Sequence, residues 1–536
     1  MKKFKKITYI ALILIGIGLL PILGLRIWGS FRLWQTERVK TPEGLNRWEE
    51  TVRRTTTLPP GENLLQRPLW KSYITEHLLA YEEEYANSSE NRKPRPPWTN
   101  SLSAWDEERY SRAEFYMRGP GAKEAGEKLN RAARYVGLVP LERIRKKAAE
   151  EIPDHTYLNE VIREEQERIK KERQRLLNEA LRRYDVADSN LTDEQKAAAI
   201  LLDYINGVQP ATLEEMKKDF KECDYYGFNR ETFIEFGGNK EVRLADILLP
   251  HLSIFRALCQ SVRENAHWYA ILGEREKSHS ELNSGLDIIS LKIGSPNLMD
   301  GLLRRAEVST MLDAIQKVIQ TEVLGEEDLR QIQDRISRLN MIEILQQTLM
   351  GVQVTGESLL DLLILMPGDG SYPEHTKVPW PLILSARLAG LIQLNKASYR
   401  QTIWQFQDAL DPKTQTVDYE AWKEGVEIPK GFLHLLSRNM IPGHEKLIYQ
   451  FLCCQSERDI TILACALERY YLKEGAYPET LEMLIPEYLP QMPPGSGPPA
   501  LLSYELNEKG YELRANRLPE QSDNSLTEAV WKRVRE

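Results

Sequence analysis

The stretch "ALERYYLKEGAYPETLEMLIPEYLP", Ala466 to Pro490, decides how the chain is read. Leading into it, Ile460, Leu463, Ala464, Leu467, Tyr470 and Tyr471 recur at steps of three and four, which predicts a helix with one apolar face. Lys473 suits the C-terminal pole of that helix, and Gly475 suits the left-handed position that ends it. Tyr477-Pro478 then turns the chain, and Thr480 is placed to cap a short helix carrying Leu481, Leu484 and Ile485, which Pro486 ends. Beyond the crossing "PQMPPGSGPPA", the segment "LLSYELNEKGYELRA" alternates between apolar and polar. Leu502, Tyr504 and Leu506 are read on one face, Tyr511, Leu513 and Ala515 on another, with "NEKG" as a four-residue hairpin loop. Residues 456–517 thus predict a small α+β module in which a helix packs against an antiparallel hairpin.

The corner formed by Gly475 and Tyr477-Pro478, followed by Leu481, Leu484, Pro486 and "LSYELNEKGYEL", resembles the globular part of the type II secretion major pseudopilins. In that family a long helix ends in a Gly-x-Tyr-Pro corner and a short sheet closes the domain. The resemblance implies a module that works outside the inner membrane. Three features of the family are missing. "MKKFKKITYIALILIG" has no Gly-Phe-like processing site and no glutamate five residues into its apolar run, so polymerisation as a pilin is not implied. The family's calcium loop has counterparts only in Glu520, Asp523 and Asn524, so calcium binding does not carry over. The whole layout is also similar to large bacterial proteins that combine an N-terminal span, a helical body and this module.

At 536 residues, 42% apolar and 28% charged, the chain has the composition of folded protein and room for two to four domains. Its charge is uneven. Residues 1–60 hold eleven Lys/Arg against four Asp/Glu, a local +7 that leaves −15 on the rest of a chain whose net charge is −8. An acidic body argues against nucleic acid as a partner, since nucleic-acid binding needs a basic face on the folded domain. A basic end fits anionic lipid headgroups.

The basic tail, residues 1–6, precedes nineteen uncharged residues from Ile7 to Leu25. At about 1.5 Å per residue they nearly span a hydrocarbon core of about 30 Å. Arg26, Trp28, Arg32 and Trp34 follow, an aromatic and cationic mixture typical of the membrane interface. The expectation is a transmembrane helix over 7–25, with the lipid bilayer as its partner. A cleaved signal peptide is the competing reading, but no Ala-x-Ala-like site precedes Arg26. Four lysines precede the span and four cations follow it within fifteen residues, so charge leans only weakly toward an N-terminus inside and a bulk outside the cytoplasm.

The rest reads as mainly α. Residues 26–118 are irregular, residues 119–239 a charged helical region, and residues 240–455 a helical bundle or irregular solenoid; residues 518–536 read as a polar tail. Thr156 to Tyr184 predicts a solvated helix with one narrow apolar stripe. Gly273 and Gly325 punctuate helices in the body, joined by short turns that favour antiparallel packing. The apolar runs Leu359–Met366 and Pro381–Leu394 are too short to span a membrane and read as core helices flanking a loop.

Chemistry-bearing motifs are scarce. The chain contains no His-Glu-x-x-His, Gly-x-Ser-x-Gly, phosphate-binding or dinucleotide fingerprint. His251 and His267 sit on helix patterns and read as core or surface histidines. Asp369, Glu374 and His375 share the loop "PGDGSYPEHTKVPW", the one place where an acid/histidine set offers a metal or hydrolytic site. Cys223, Cys259, Cys453, Cys454 and Cys465 lack zinc spacing and read as small buried residues, although Cys454 and Cys465 can share a helix face. No catalytic, cofactor or metal residue is assigned. The expected function is a membrane-anchored extracytoplasmic scaffold that binds a protein partner and is associated with a secretion-like or envelope assembly. The alternatives are an envelope hydrolase and a membrane-tethered cytoplasmic scaffold.

Overall fold

The computed structural model describes residues 25–41, 46–71, 74, 192, 195, 198, 202, 211–227, 232, 235, 251–365, 390–418, 421–422, 426, 432–494, 502–508, 510–515 and 529–534. The fold is mainly helical. An N-terminal arm comprises α1 (25–36) and α2 (Arg47–Thr56), and α3 (Ala211–Glu222) leads into the body. The body holds α4 (His251–Ile271), α5 (Arg275–Ser290), α6 (Leu298–Gln320), α7 (Glu326–Ser337), α8 (Met341–Leu365), α9 (Leu391–Asp408) and α10 (Leu435–Met440). Then comes α11 (Pro442–Glu474), 33 residues long.

Helix starts follow their local chemistry. Asn46 Oδ1 accepts the Trp48 and Glu49 N–H groups at the start of α2, and Asn297 Oδ1 accepts those of Met299 and Asp300 at the start of α6. Glu326, Glu327 and Asp328 place negative charge at the positive pole of α7, and Asp328 Oδ2 accepts the Gly325 N–H at 2.9 Å. Gly273 takes φ 76 just beyond the end of α4, as its place in the sequence predicts.

Packing is largely between sequence neighbours: α4 against α5 and α6, then α8 against α9. Helix α11 departs from this most. It touches α6, α7 and α8 and then the C-terminal sheet, and every residue from 458 to 469 is buried. The one-sided apolar helix expected there is therefore enclosed on all sides. Its charges are matched within the helix and across it: Arg458 Nε donates to Asp459 Oδ1 at 2.9 Å, and its guanidinium also bonds the Leu339 carbonyl. The division expected at 455/456 falls inside this unbroken helix, because nothing between Pro442 and Glu474 interrupts it.

At its end Gly475 takes φ 75, and its N–H donates to the Tyr471 carbonyl at 2.8 Å. The short helix expected after Tyr477-Pro478 is one 3₁₀ turn, Leu481–Leu484; Leu484 is buried and Ile485 exposed. The sheet has three strands, β5 (Leu502–Asn507), β6 (Gly510–Ala515) and β7 (Ala529–Val534), in that order. The other strands of the described residues, β1 (Tyr225–Tyr226), β2 (Lys292–Ile293), β3 (Leu410–Asp411) and β4 (Thr416–Val417), are two-residue pieces.

Three details of the module differ from the sequence reading. Asn507 pairs with Gly510, so the ladder takes in both ends of "NEKG" and the connection is two residues, not four. Tyr504 pairs with Leu513 and Leu506 with Tyr511, so the two apolar sets lie on the same side of the sheet, as directly paired residues must. The polar tail, 518–536, contains β7, in which Trp531 and Arg533 are buried. Its alternation hides from a polarity pattern because the inward side carries an arginine.

Among the described residues no helix is long and apolar enough to cross a membrane. The span expected over 7–25 lies outside them except for Leu25, and the helix expected over 156–184 lies wholly outside.

Candidate functional site

The densest chemistry lies inside the body. His251 opens α4, and its Nε2 is 2.9 Å from Asp300 Oδ1 in the first turn of α6. One turn further along α6, Arg304 donates to the carbonyls of Ile288 at 2.7 Å and Leu291 at 3.0 Å, where α5 ends and leaves carbonyls without helical partners. The same guanidinium stands 5.2 Å from the Tyr226 ring centre and 3.5 Å from Glu307, whose carboxylate oxygens make no hydrogen bond. Burial pushes the Glu307 carboxyl up, and Arg304 works against that rise. Burial also pushes the Tyr226 phenol and the Cys259 thiol well up.

Acid, imidazole, phenol and thiol in one place would be a reactive set if a substrate could enter. It is closed: His251 and Tyr226 are 0% exposed, Asp300 and Arg304 1%, and Glu307 2%. What the cluster does is join α4, α5 and α6 by directional bonds, with the Tyr226 ring of β1 packed against Arg304, in a core otherwise held by non-directional packing.

A second polar cluster borders solvent where the sheet meets the body. A small cleft is lined by Ile319, Glu322, Leu324, Leu329, Glu468 and Leu472. Arg533 on β7 donates to the Gln320 carbonyl at 3.0 Å and to Glu322 Oε1 at 2.5 Å, and its Nε lies 3.5 Å from Glu468 Oε1. Tyr477 of the Gly-x-Tyr-Pro corner donates to the same Glu468 oxygen at 2.9 Å. Beside it, Gln333 of α7 donates to the Tyr488 carbonyl at 2.7 Å, and Arg469 donates to Gln333 Oε1 at 3.1 Å. The sheet face is closed by Trp531, Leu513 and Tyr511, and burial next to Glu468 pushes the Tyr511 phenol well up. The cluster binds module to body, leaving an acidic, partly apolar cleft at the seam.

Among the described residues no group of three or more His, Cys, Asp or Glu is placed to hold a metal ion. Asp369, Glu374 and His375 lie outside the described residues, as do Glu520, Asp523 and Asn524. None of the five cysteines is in a disulfide. Cys259, Cys454 and Cys465 are buried and Cys223 and Cys453 half-buried, and burial pushes the Cys465 thiol up to about 12. Sequence reasoning missed the residues that organise both clusters, Arg304 and Arg533. The available signal for Arg533 was parity: in "AVWKRV" Trp531 and Arg533 fall on one side, Val530 and Lys532 on the other.

No protein-family model, no curated protein and no solved structure matches the chain.

Proposed function

We propose that the chain is a membrane-anchored scaffold outside the cytoplasm, whose C-terminal module docks a protein partner of an envelope or secretion-like assembly. The observation that carries this reading is the construction of the module around α11. The helix that ends in the Gly475/Tyr477-Pro478 corner is also the central helix of the body, and Arg533, Arg469 and Gln333 bond the two together. A module mounted this way is presented in one fixed orientation, which suits a docking element. Leu472, Met483 and Ile485 stay exposed in the corner segment and offer apolar contact to a partner. The buried acids and arginines serve junctions between elements, which fits an architectural role.

The reading is tested by topology. Two reporters are fused after Glu536 through a flexible spacer, one active only outside the cytoplasm and one fluorescent only inside. Activity of the external reporter is the expected result. Fluorescence of the internal one would replace this reading with a membrane-tethered cytoplasmic scaffold.

A further inference from the structure

Helix α1 carries two unlike faces. Ile27, Trp28, Phe31 and Trp34 fall at spacings that bring them to one side, and they are 63%, 43%, 48% and 44% exposed. The rings of Phe31 and Trp34 stack 5.6 Å apart, and the Arg38 guanidinium sits 3.8 Å from the centre of the Trp34 ring. Among the described residues no other helix exposes so continuous a row of large apolar side chains.

The opposite side of α1 is fixed to the body. Gly29 is buried so close to α9 that a Cβ in its place would stand 2.4 Å from the Gly390 carbonyl oxygen. Arg32 donates to Gln401 Oε1 at 3.1 Å, and Arg400 donates to Thr36 Oγ1 at 3.3 Å. The aromatic face is thus held outward by contacts on the other side.

What covers it is argued from the adjoining sequence. Ile7 to Leu25, uncharged throughout, runs directly into α1. Arg26, Arg38 and Lys40 are exposed around the aromatic face. Tryptophan and phenylalanine beside cations suit the headgroup zone of an anionic bilayer, where an amphipathic ring finds both apolar and wet surroundings. A second copy would bring like charges against these cations, on a face of four large side chains, too small for a stable dimer.

We propose that α1 lies in the headgroup region of the bilayer with Ile27, Trp28, Phe31 and Trp34 turned into the lipid, so that α9 and the body are held directly against the membrane surface. The proposal rests on the membrane-anchored reading of residues 7–25, and its test separates the two.

The full-length chain is reconstituted in vesicles of phosphatidylcholine and phosphatidylglycerol carrying lipids brominated in the upper acyl chain. Tryptophan emission is compared with that of the W28F/W34F variant, and membrane retention is followed through an alkaline wash. The expected result is an alkali-resistant chain whose quenching falls several-fold in the variant. Equal quenching in both proteins, with the chain still alkali-resistant, overturns the surface helix and leaves the anchor standing. Release by alkali overturns the anchor. A photo-crosslinking residue replacing Phe31 gives a second readout that does not depend on the tryptophan variant. Adducts to phospholipid support the proposal, and adducts to a second copy or to another protein overturn it.

Discussion

At the N-terminal end of the described chain, the most deeply buried arginine against the arm belongs to the body. Arg400 of α9 donates Nε to Glu357 Oε1 of α8 at 2.8 Å and a second nitrogen to Oε2 at 2.5 Å. Its guanidinium lies 4.0 Å from the ring centre of Trp48 on α2 and also donates to Thr36. Both charged groups are almost fully buried. At the C-terminal end the arginine belongs to the arriving strand. Arg533 is itself buried, but the acid it hydrogen-bonds, Glu322, is 49% exposed, its other acceptor is a backbone carbonyl, and the buried Glu468 that it also faces has the Tyr477 hydroxyl as a donor. The arm thus folds over an ion pair already built into the body, whereas the strand brings its own cation to a half-solvated acid. Removing a cation should then have different reach at the two ends: deep at Arg400, local at Arg533.

The most damaging test is Arg400→Met. It leaves Glu357, a carboxylate that burial already pushes up and Arg400 pulls back, facing the more distant cation Lys396 at 4.0 Å, and the expected loss is about 3–5 kcal/mol. Denaturant unfolding reads this as a lowered midpoint. Adding Glu357→Gln should return part of the loss, and an unchanged midpoint in Arg400→Met would break the comparison outright. Next comes Trp531→Ala, which empties a buried site between β7 and the body at a cost of about 3 kcal/mol. Hydrogen exchange should quicken in β5, β6 and β7 while α4, α5 and α6 keep their protection. Spread of the effect into those helices would show that the module is not a separable layer.

Arg533→Met should cost less, about 1–3 kcal/mol, since Glu322 regains water when its partner leaves. Faster amide exchange confined to β7 is the expected sign; a loss as large as that of Arg400→Met would erase the contrast. The smallest effect lies in the arm. Hydrogen bonds from Arg53 and then Arg54 hold the Glu50 carboxyl down at about 2, against an ordinary 4.5. A lowered acid stabilises the fold above its unfolded pKa, and that contribution fades as pH falls from 4.5 toward 2. Wild type should therefore exceed Glu50→Gln slightly at neutral pH, with the gap closing over that interval. A gap that is flat from neutral pH to pH 2 would remove Glu50 from the account.

The helices of the body were legible because each obeys local rules. Gly273 and Gly325 mark the breaks between them, and each falls at a helix boundary. The Gly475 corner was legible for the same reason, since the left-handed cap is a property of one residue. What escaped depends on distant partners. Arg458, Glu468 and Arg469 look like the wet side of an amphipathic helix, yet all three are buried because Leu339, Gln333, Tyr488 and Tyr477 supply their bonds. Strand β7 was hidden for a related reason: Arg533 breaks the polarity pattern, and only its bonds to Gln320 and Glu322 make it an inward residue. The His251 to Glu307 cluster joins residues up to 56 apart in sequence and more from Tyr226, and no local pattern signals such a set. His251 read as an ordinary histidine, and its complete burial beside Asp300 gives it a structural task.

Helix α11 has one further consequence. An unbroken helix of 33 residues is a rod of about 50 Å, with the Tyr477-Pro478 corner at one end and Ile441 and α10 at the other. It has no glycine or proline past its first turn to serve as a joint. A pull or twist applied to the corner by a bound partner would be delivered as stress along the whole rod to the helices packed around it, so that load taken at the C-terminal tip is borne by the body.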